Sequence, residues 1–276
     1  MKKYYIAILS FTFLLIFSQG CEKSLQEEPK TFISSDAYFS NPSSYDAAVM
    51  GIYDQGNALN RTSLTMIEMF SDIYGPPSAS VEQAMPCYRN GTEPFFYNVR
   101  DAWSVSYGAI KNANFVLSKM PSAKLSDVTN RALMAEARFL RAYAYYNLVQ
   151  LYGDVPLRKV PVENFTDVQL AKSSQADVYK FILEDLIYAE TNLLDAASQQ
   201  GRVYKLVATA LLSRVYLTTA GNPMNIVANY QLAKDKALAV INSGKFSLVS
   251  DYSKVFHNTA YSSESIWEKL FFPSSG

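Results

Sequence analysis

The chain has 276 residues, enough for one large or two modest domains, and 49 % of them are apolar, so a sizeable core is available. Lysine plus arginine and aspartate plus glutamate balance at 25 each. A neutral chain carries no electrostatic footprint for nucleic acid or for an anionic membrane surface, so nucleic acid is set aside as a partner.

In chain order, positions 1–20 read as a signal peptide. Lys2 and Lys3 form a positive start, and the apolar run over 4–17 is too short for a typical membrane span. The run ends in Ser18-Gln19-Gly20-Cys21, which resembles a bacterial lipobox with cleavage before Cys21 and a lipid on its thiol. Ser18 and Gln19 depart from the usual Leu and small residue of that motif. This use of Cys21 leaves Cys87 as a buried or loop thiol. Positions 21–40 are polar around Pro29 and predict a tether and entry segment, with the main domain over 41–276.

Asn41-Pro42-Ser43 punctuates a helix start, and Ser43-x-x-Asp46 matches a capping box. A helix over 45–59, interrupted by Gly51 and Gly56, and a second over 62–74 are predicted next. Positions 75–98 form a long irregular loop broken by Pro76, Pro77, Pro86, Gly91 and Pro94. It carries Tyr88, Arg89 and Asn90, which give an aromatic ring to stack on and polar groups for vicinal hydroxyls. The alternative is an ordered loop that tucks its aromatics into the helices.

The stretch 100–119 predicts a helix with Trp103, Tyr107, Ile110, Asn114 and Leu117 on one core-facing side. Ser126 is placed to cap the helix of 131–157, which has two apolar stripes rather than one. Leu133, Ala137, Leu140, Ala144, Leu148 and Leu151 make the first stripe; Ala135, Phe139, Ala142, Tyr146 and Val149 make the second. A helix apolar on two sides is sandwiched between neighbours, and Ala135-x3-Phe139-x2-Ala142 fits the second helix of a tetratricopeptide hairpin. Arg131, Arg138 and Arg141 fall on one edge while Glu136 points away, so their neutralising acids are expected on other helices. Gly153 and Pro156 stop the helix.

An extended segment to about position 169 follows. Ser174-x-x-Asp177 then caps a helix over 178–197, and further helices cover 203–220 and 226–242. Short apolar pieces at 246–256 and 266–272 have weak strand character. The expected fold is mainly all-α: degenerate tetratricopeptide-like hairpins in an α-α superhelix, with long loops and minor strand content.

The run AEARFLRAYAYYNLVQLYGDVPL over 135–157 resembles the signature helix of the SusD/RagB family of nutrient-capturing surface lipoproteins. The W-x3-Y-x2-I-x3-N run from Trp103, GRVYKLVATALLSRVYL over 201–217 and SESIWEKLFF over 263–272 resemble further family segments. Family members run nearly twice as long, so the resemblance implies that this chain is the N-terminal half of the family fold. It also implies an outer-membrane, lipid-anchored and surface-exposed protein that captures an oligosaccharide or other nutrient. The implied partner is a SusC-type TonB-dependent transporter that it covers like a lid. Under that resemblance Tyr88, Arg89 and Asn90 are the candidate glycan-binding residues. The alternative reading is a lipid-anchored helical-repeat scaffold that binds a protein or peptide.

No catalytic residue, metal ligand or cofactor site is expected. A single histidine, His257, supports no Ser-His-Asp or Cys-His arrangement, and two cysteines with one histidine exclude an ordinary Cys/His zinc site. No Gly-rich phosphate loop is present. Glu184 and Asp185 are adjacent on a helix and diverge, so they cannot flank a glycosidic bond as a pair.

Overall fold

The computed structural model describes residues 33–68, 97–256 and 261–268. The chain divides into two compact units between Ser40 and Asn41. In the first, one short helix, α1 (Ser35–Tyr38), is capped by Ser34, whose hydroxyl accepts from the Ala37 amide at 3.3 Å.

The second unit carries α2 (Ser43–Glu68), α3 (Tyr97–Lys119), α4 (Asp127–Tyr152), α5 (Gln175–Asn192), α6 (Lys205–Ala220) and α7 (Asn229–Ile241). Each helix packs on the next, and α2 also reaches α4, as expected for stacked tetratricopeptide-like hairpins. Helix α4 is the sandwiched element. Ala135, Ala137 and Ala142 are fully buried, and Phe139, Leu140, Ala144, Tyr146, Leu148 and Val149 are nearly so. Both predicted stripes are therefore core, apart from Leu151, which is half-buried at the helix end. Ser126 caps α4 by accepting from the Thr129 amide at 3.2 Å, and Gly153 ends it at φ 72°, a backbone that a side chain would strain.

Several boundaries differ from the sequence expectation. Helix α2 is continuous through Gly51, Gly56 and the expected break before Thr62. Glycine inside a helix costs about 1 kcal/mol, and burial of Tyr45, Val49, Ile52 and Tyr53 outweighs it. The rest of the expected second helix, beyond position 68, lies outside the described residues, as does most of the 75–98 loop; its last two positions open α3. Asn41, not Ser43, supplies the N-terminal oxygen, accepting from the Ser43 amide at 3.1 Å; Asp46 is engaged elsewhere.

Helix α5 stops at Asn192 rather than at 197, because Leu193 turns extended to bury its side chain. Helix α7 begins three residues later than expected, where the Asn229 amide group donates to the Thr219 hydroxyl at 2.8 Å. Among the described residues the strand content is a two-residue antiparallel ladder, β1 (Val155–Pro156) and β2 (Lys172–Ser173), with Val155 opposite Ser173. The expected strand pieces instead give a 3-10 turn at Tyr252–Phe256 and an irregular segment over 261–268. The Ser247 amide donates to the Ser263 carbonyl at 2.9 Å, but no ladder grows from that bond.

Candidate functional site

A strap of chain over 155–171 leaves α4 at Val155 and crosses α3 before reaching β2. It has no ladder of its own along most of its length, so side chains from α3 and α4 satisfy its backbone. The Tyr107 hydroxyl donates to the Pro156 carbonyl at 2.7 Å. The Tyr145 hydroxyl donates to the Arg158 carbonyl at 2.8 Å and accepts from the Arg158 amide at 2.7 Å. The Asn114 amide group donates to the carbonyls of Arg158 at 3.1 Å and Val160 at 3.3 Å.

A buried ion pair holds Asn114 in place. Arg141 donates through Nε to Asp185 Oδ2 at 2.8 Å and through Nη2 to Oδ1 at 2.9 Å, a bidentate geometry. Its Nη1 donates to Asn114 Oδ1 at 2.6 Å and to the Lys159 carbonyl at 3.2 Å. Burial pushes the Asp185 carboxyl above its ordinary pKa, while the hydrogen bonds and charge of Arg141 pull it back. Arg138 lies 4.0 Å from the same carboxylate and stacks over the Tyr188 ring at 4.0 Å. The acid sought by the arginine edge is therefore on α5.

A second buried network stands on the other side of α4. Arg202 Nε and the Tyr53 hydroxyl both donate to Glu136 Oε2, at 2.9 and 2.7 Å. Arg202 Nη1 donates to Asp46 at 2.6 Å, and the Val203 amide donates to the Tyr53 hydroxyl at 2.9 Å. Burial raises the Glu136 pKa, opposed by the charge of Arg202. Both networks are built from internal partners, with Arg202 Nη2 and Arg138 Nε left buried without one among the described residues, and they read as scaffolding for the strap and for α2.

Between α3 and the strap lies a groove of about 360 Å³ lined by Trp103, Tyr107, Lys111, Pro156, Arg158 and Val162, among others. Trp103 sits 4.9 Å from Tyr107 and edge-on to Tyr152 at 5.1 Å, so its ring is held on two sides. Arg158 is turned to the strap, donating to the carbonyls of Asp167 and Val168. Lys111 is exposed at the groove's edge. Chemically the groove is an aromatic platform with a cation beside it. Sequence spacing placed Trp103 and Tyr107 in the core; the structure leaves both half-exposed. The signal that distinguishes them is position: they lie in the first half of α3, which follows a Pro-broken, aromatic stretch of sequence.

Tyr88, Arg89, Asn90, Cys21, Cys87 and His257 lie outside the described residues. Among the described residues, no group of three His, Cys, Asp or Glu could hold a metal ion, and no helix is long and apolar enough to cross a membrane.

A family profile described as SusD-like, starch-binding and associating with outer membrane matches residues 25–217. The chain belongs to the SusD-like family. It is 26 % identical over 281 aligned positions to SusD-like protein P25 of Formosa agariphila, covering 96 % of this chain and 51 % of that protein. Among solved structures it is similar to a SusD homolog from Bacteroides thetaiotaomicron at 26 % identity and a TM-score of 0.69, covering 79 % and 44 % of the two chains. A laminarin-binding SusD-like protein matches at 25 % identity and a TM-score of 0.62, covering 77 % and 47 %. The chain thus spans about half the length of the relatives it matches.

Proposed function

We propose that this SusD-like chain is the N-terminal part of a lipid-anchored surface protein that captures an oligosaccharide and passes it to a TonB-dependent outer-membrane transporter. The observation that carries this reading is the family match over residues 25–217. The laminarin-binding relative supports a glycan as the ligand. The groove supports it chemically, because a sugar site combines an aromatic platform with a few fixed polar groups. Trp103 and Tyr107 supply the platform. Tyr88, Arg89 and Asn90, which precede α3 in the sequence, supply the groups that read hydroxyls. Cys21 carries the lipid, so Cys21→Ala should abolish incorporation of labelled palmitate. The strap leaves Phe165 in water at 98 % exposure, and such a surface suits a protein partner.

The test is calorimetric titration of the full-length protein with laminarin and starch oligosaccharides, wild type against Tyr88→Ala/Arg89→Ala. A loss of at least about tenfold in affinity, with the thermal melt unchanged, is expected. Unchanged affinity in the folded variant would remove these residues from the site. Recovery of a barrel protein with the tagged wild type tests the transporter partner, and its absence from membranes that contain the barrel would refute that pairing.

A further inference from the structure

A second cavity, of about 300 Å³, opens between α4, α6 and the segment 261–268, and it is separate from the groove beside Trp103. Its walls include Phe139 and Tyr143 from α4, Val207 and Arg214 from α6, and Ile266 and Trp267 from the returning segment. Val207, Ala210, Leu211 and Arg214 fall at i, i+3, i+4 and i+7, so one face of α6 forms the floor and ends in a cation.

The aromatic part is fixed in advance of any ligand. Trp267 Nε1 donates to the Gly201 carbonyl at 2.9 Å. Its ring stands edge-on to Phe139 at 5.5 Å and to Tyr143 at 5.7 Å, both at an interplanar angle of 87°. An indole tied by its nitrogen and flanked on two sides keeps its orientation, which is what a stacking platform requires.

The polar part is a single charge. Arg214 is exposed, and its guanidinium has no hydrogen bond or ion pair among the described residues. It differs in this from Arg138, Arg141 and Arg202, each of which is engaged by a carboxylate. Burial raises the Tyr143 hydroxyl's pKa, opposed first by a hydrogen bond with Asn147 and then by the charge of Arg214. A chamber with an aromatic wall and one unengaged guanidinium complements a ring-sized body that bears one carboxylate.

We infer that this cavity is a binding site for the uronate unit of an acidic oligosaccharide, with the sugar ring against Trp267 and Tyr143 and its carboxylate paired to Arg214. The inference rests on the glycan-binding reading and adds to it the charge of the glycan and a site distant in sequence from Tyr88. A neutral sugar gains the aromatic contact but leaves the guanidinium without a counter-charge. A free aryl carboxylate shares the charge and the ring, and the experiment separates the two sources.

The probes are trigalacturonate, maltotriose and benzoate, titrated by calorimetry into the full-length protein and its Arg214→Gln and Ala210→Phe variants. Wild type is expected to bind trigalacturonate at least about tenfold more tightly than maltotriose, since hydrogen bonds to charged groups are the stronger class. That advantage should shrink with added salt. Arg214→Gln should erase the advantage while the thermal melt stays in place, because the side chain is at the surface. Ala210→Phe, which fills the chamber, should remove trigalacturonate binding even where Arg214 is intact. Equal affinity of wild type for the acidic and the neutral trisaccharide would overturn the inference and leave the glycan reading standing. Binding of benzoate without trigalacturonate would overturn it in favour of a free aryl acid. Binding of neither trisaccharide, nor of laminarin or starch oligosaccharides, would overturn both readings.

Discussion

Arg141 and Asp185 meet across 44 positions of sequence, and what they hold is Asn114 and the strap's carbonyls rather than a ligand. Removing one member of a buried pair strands a charge, whereas replacing both by apolar groups removes the desolvation cost along with the attraction. Arg141→Met alone should therefore destabilise by about 3–5 kcal/mol. Arg141→Met with Asp185→Leu should recover much of that loss. Urea unfolding of the single and double variants measures both values. If the double variant is as unstable as the single, Asn114 and the strap depend on the guanidinium itself and not on neutralisation.

At the scale of the element, α4 shows how far periodicity can be trusted. Its two stripes, its Ser126 cap and its Gly153 stop were legible because each depends on residues within one helix. The features that were not legible depend on distant ones. Ser43 looked like a cap, but Asp46 three residues on is drawn to Arg202, and Asn41 takes the capping role. The break expected in α2 did not form because tertiary burial outweighs glycine's propensity cost. Asp185 as the partner of Arg141, and Glu136 as that of Arg202, could be expected only as acids somewhere across a helix interface. The two-sided burial of α4 has a direct consequence. Leu140→Asp places a charge in the core and Ala142→Trp overfills a fully buried position, so each should cost roughly 2–5 kcal/mol. Differential scanning calorimetry would reveal either loss, and a melt within a degree or two of wild type would mean that the stripe concerned is not packed.

For the whole molecule, tyrosine links composition to stability. The chain has 20 tyrosines, and many pack with the hydroxyl satisfied internally, as Tyr53, Tyr107 and Tyr145 do. Burial pushes the hydroxyls of Tyr152 and Tyr179 up to about 12, and those of Tyr107 and Tyr145 further. An unfolded chain releases these protons near an ordinary pKa of about 10, while the folded chain retains them. Stability from this source is therefore complete below about pH 10 and is lost as pH rises toward the folded values. The urea midpoint should fall steadily from pH 9.5 to pH 11.5; a flat midpoint would mean that the rings are solvated. At this scale the candidate sites were the least legible part. Trp103 and Tyr107 share the spacing of core residues, and Trp267 becomes one wall of a cavity only when a segment more than a hundred residues after α4 returns to it.

The Arg202 network also has a consequence in time. Its bond to Asp46 spans 156 positions and its bond to Glu136 spans 66, whereas the Arg141–Asp185 pair spans 44. At about 5–20 residues per second of synthesis, the acid of α2 waits roughly 8–30 s for its arginine to be made. Contacts that close long loops form after local ones, because the loop entropy precedes the reward. We therefore expect the α4–α5 hairpin to order first, with α2 locked onto it only when the turn before α6 arrives. Pulsed hydrogen exchange during refolding should show amides of α4 and α5 protected before those of α2. Protection of α2 first would mean that its contacts with α3 and α4 suffice to order it. On the expected order, the last part of the described fold to become secure is its first long helix, held by an arginine near the start of α6.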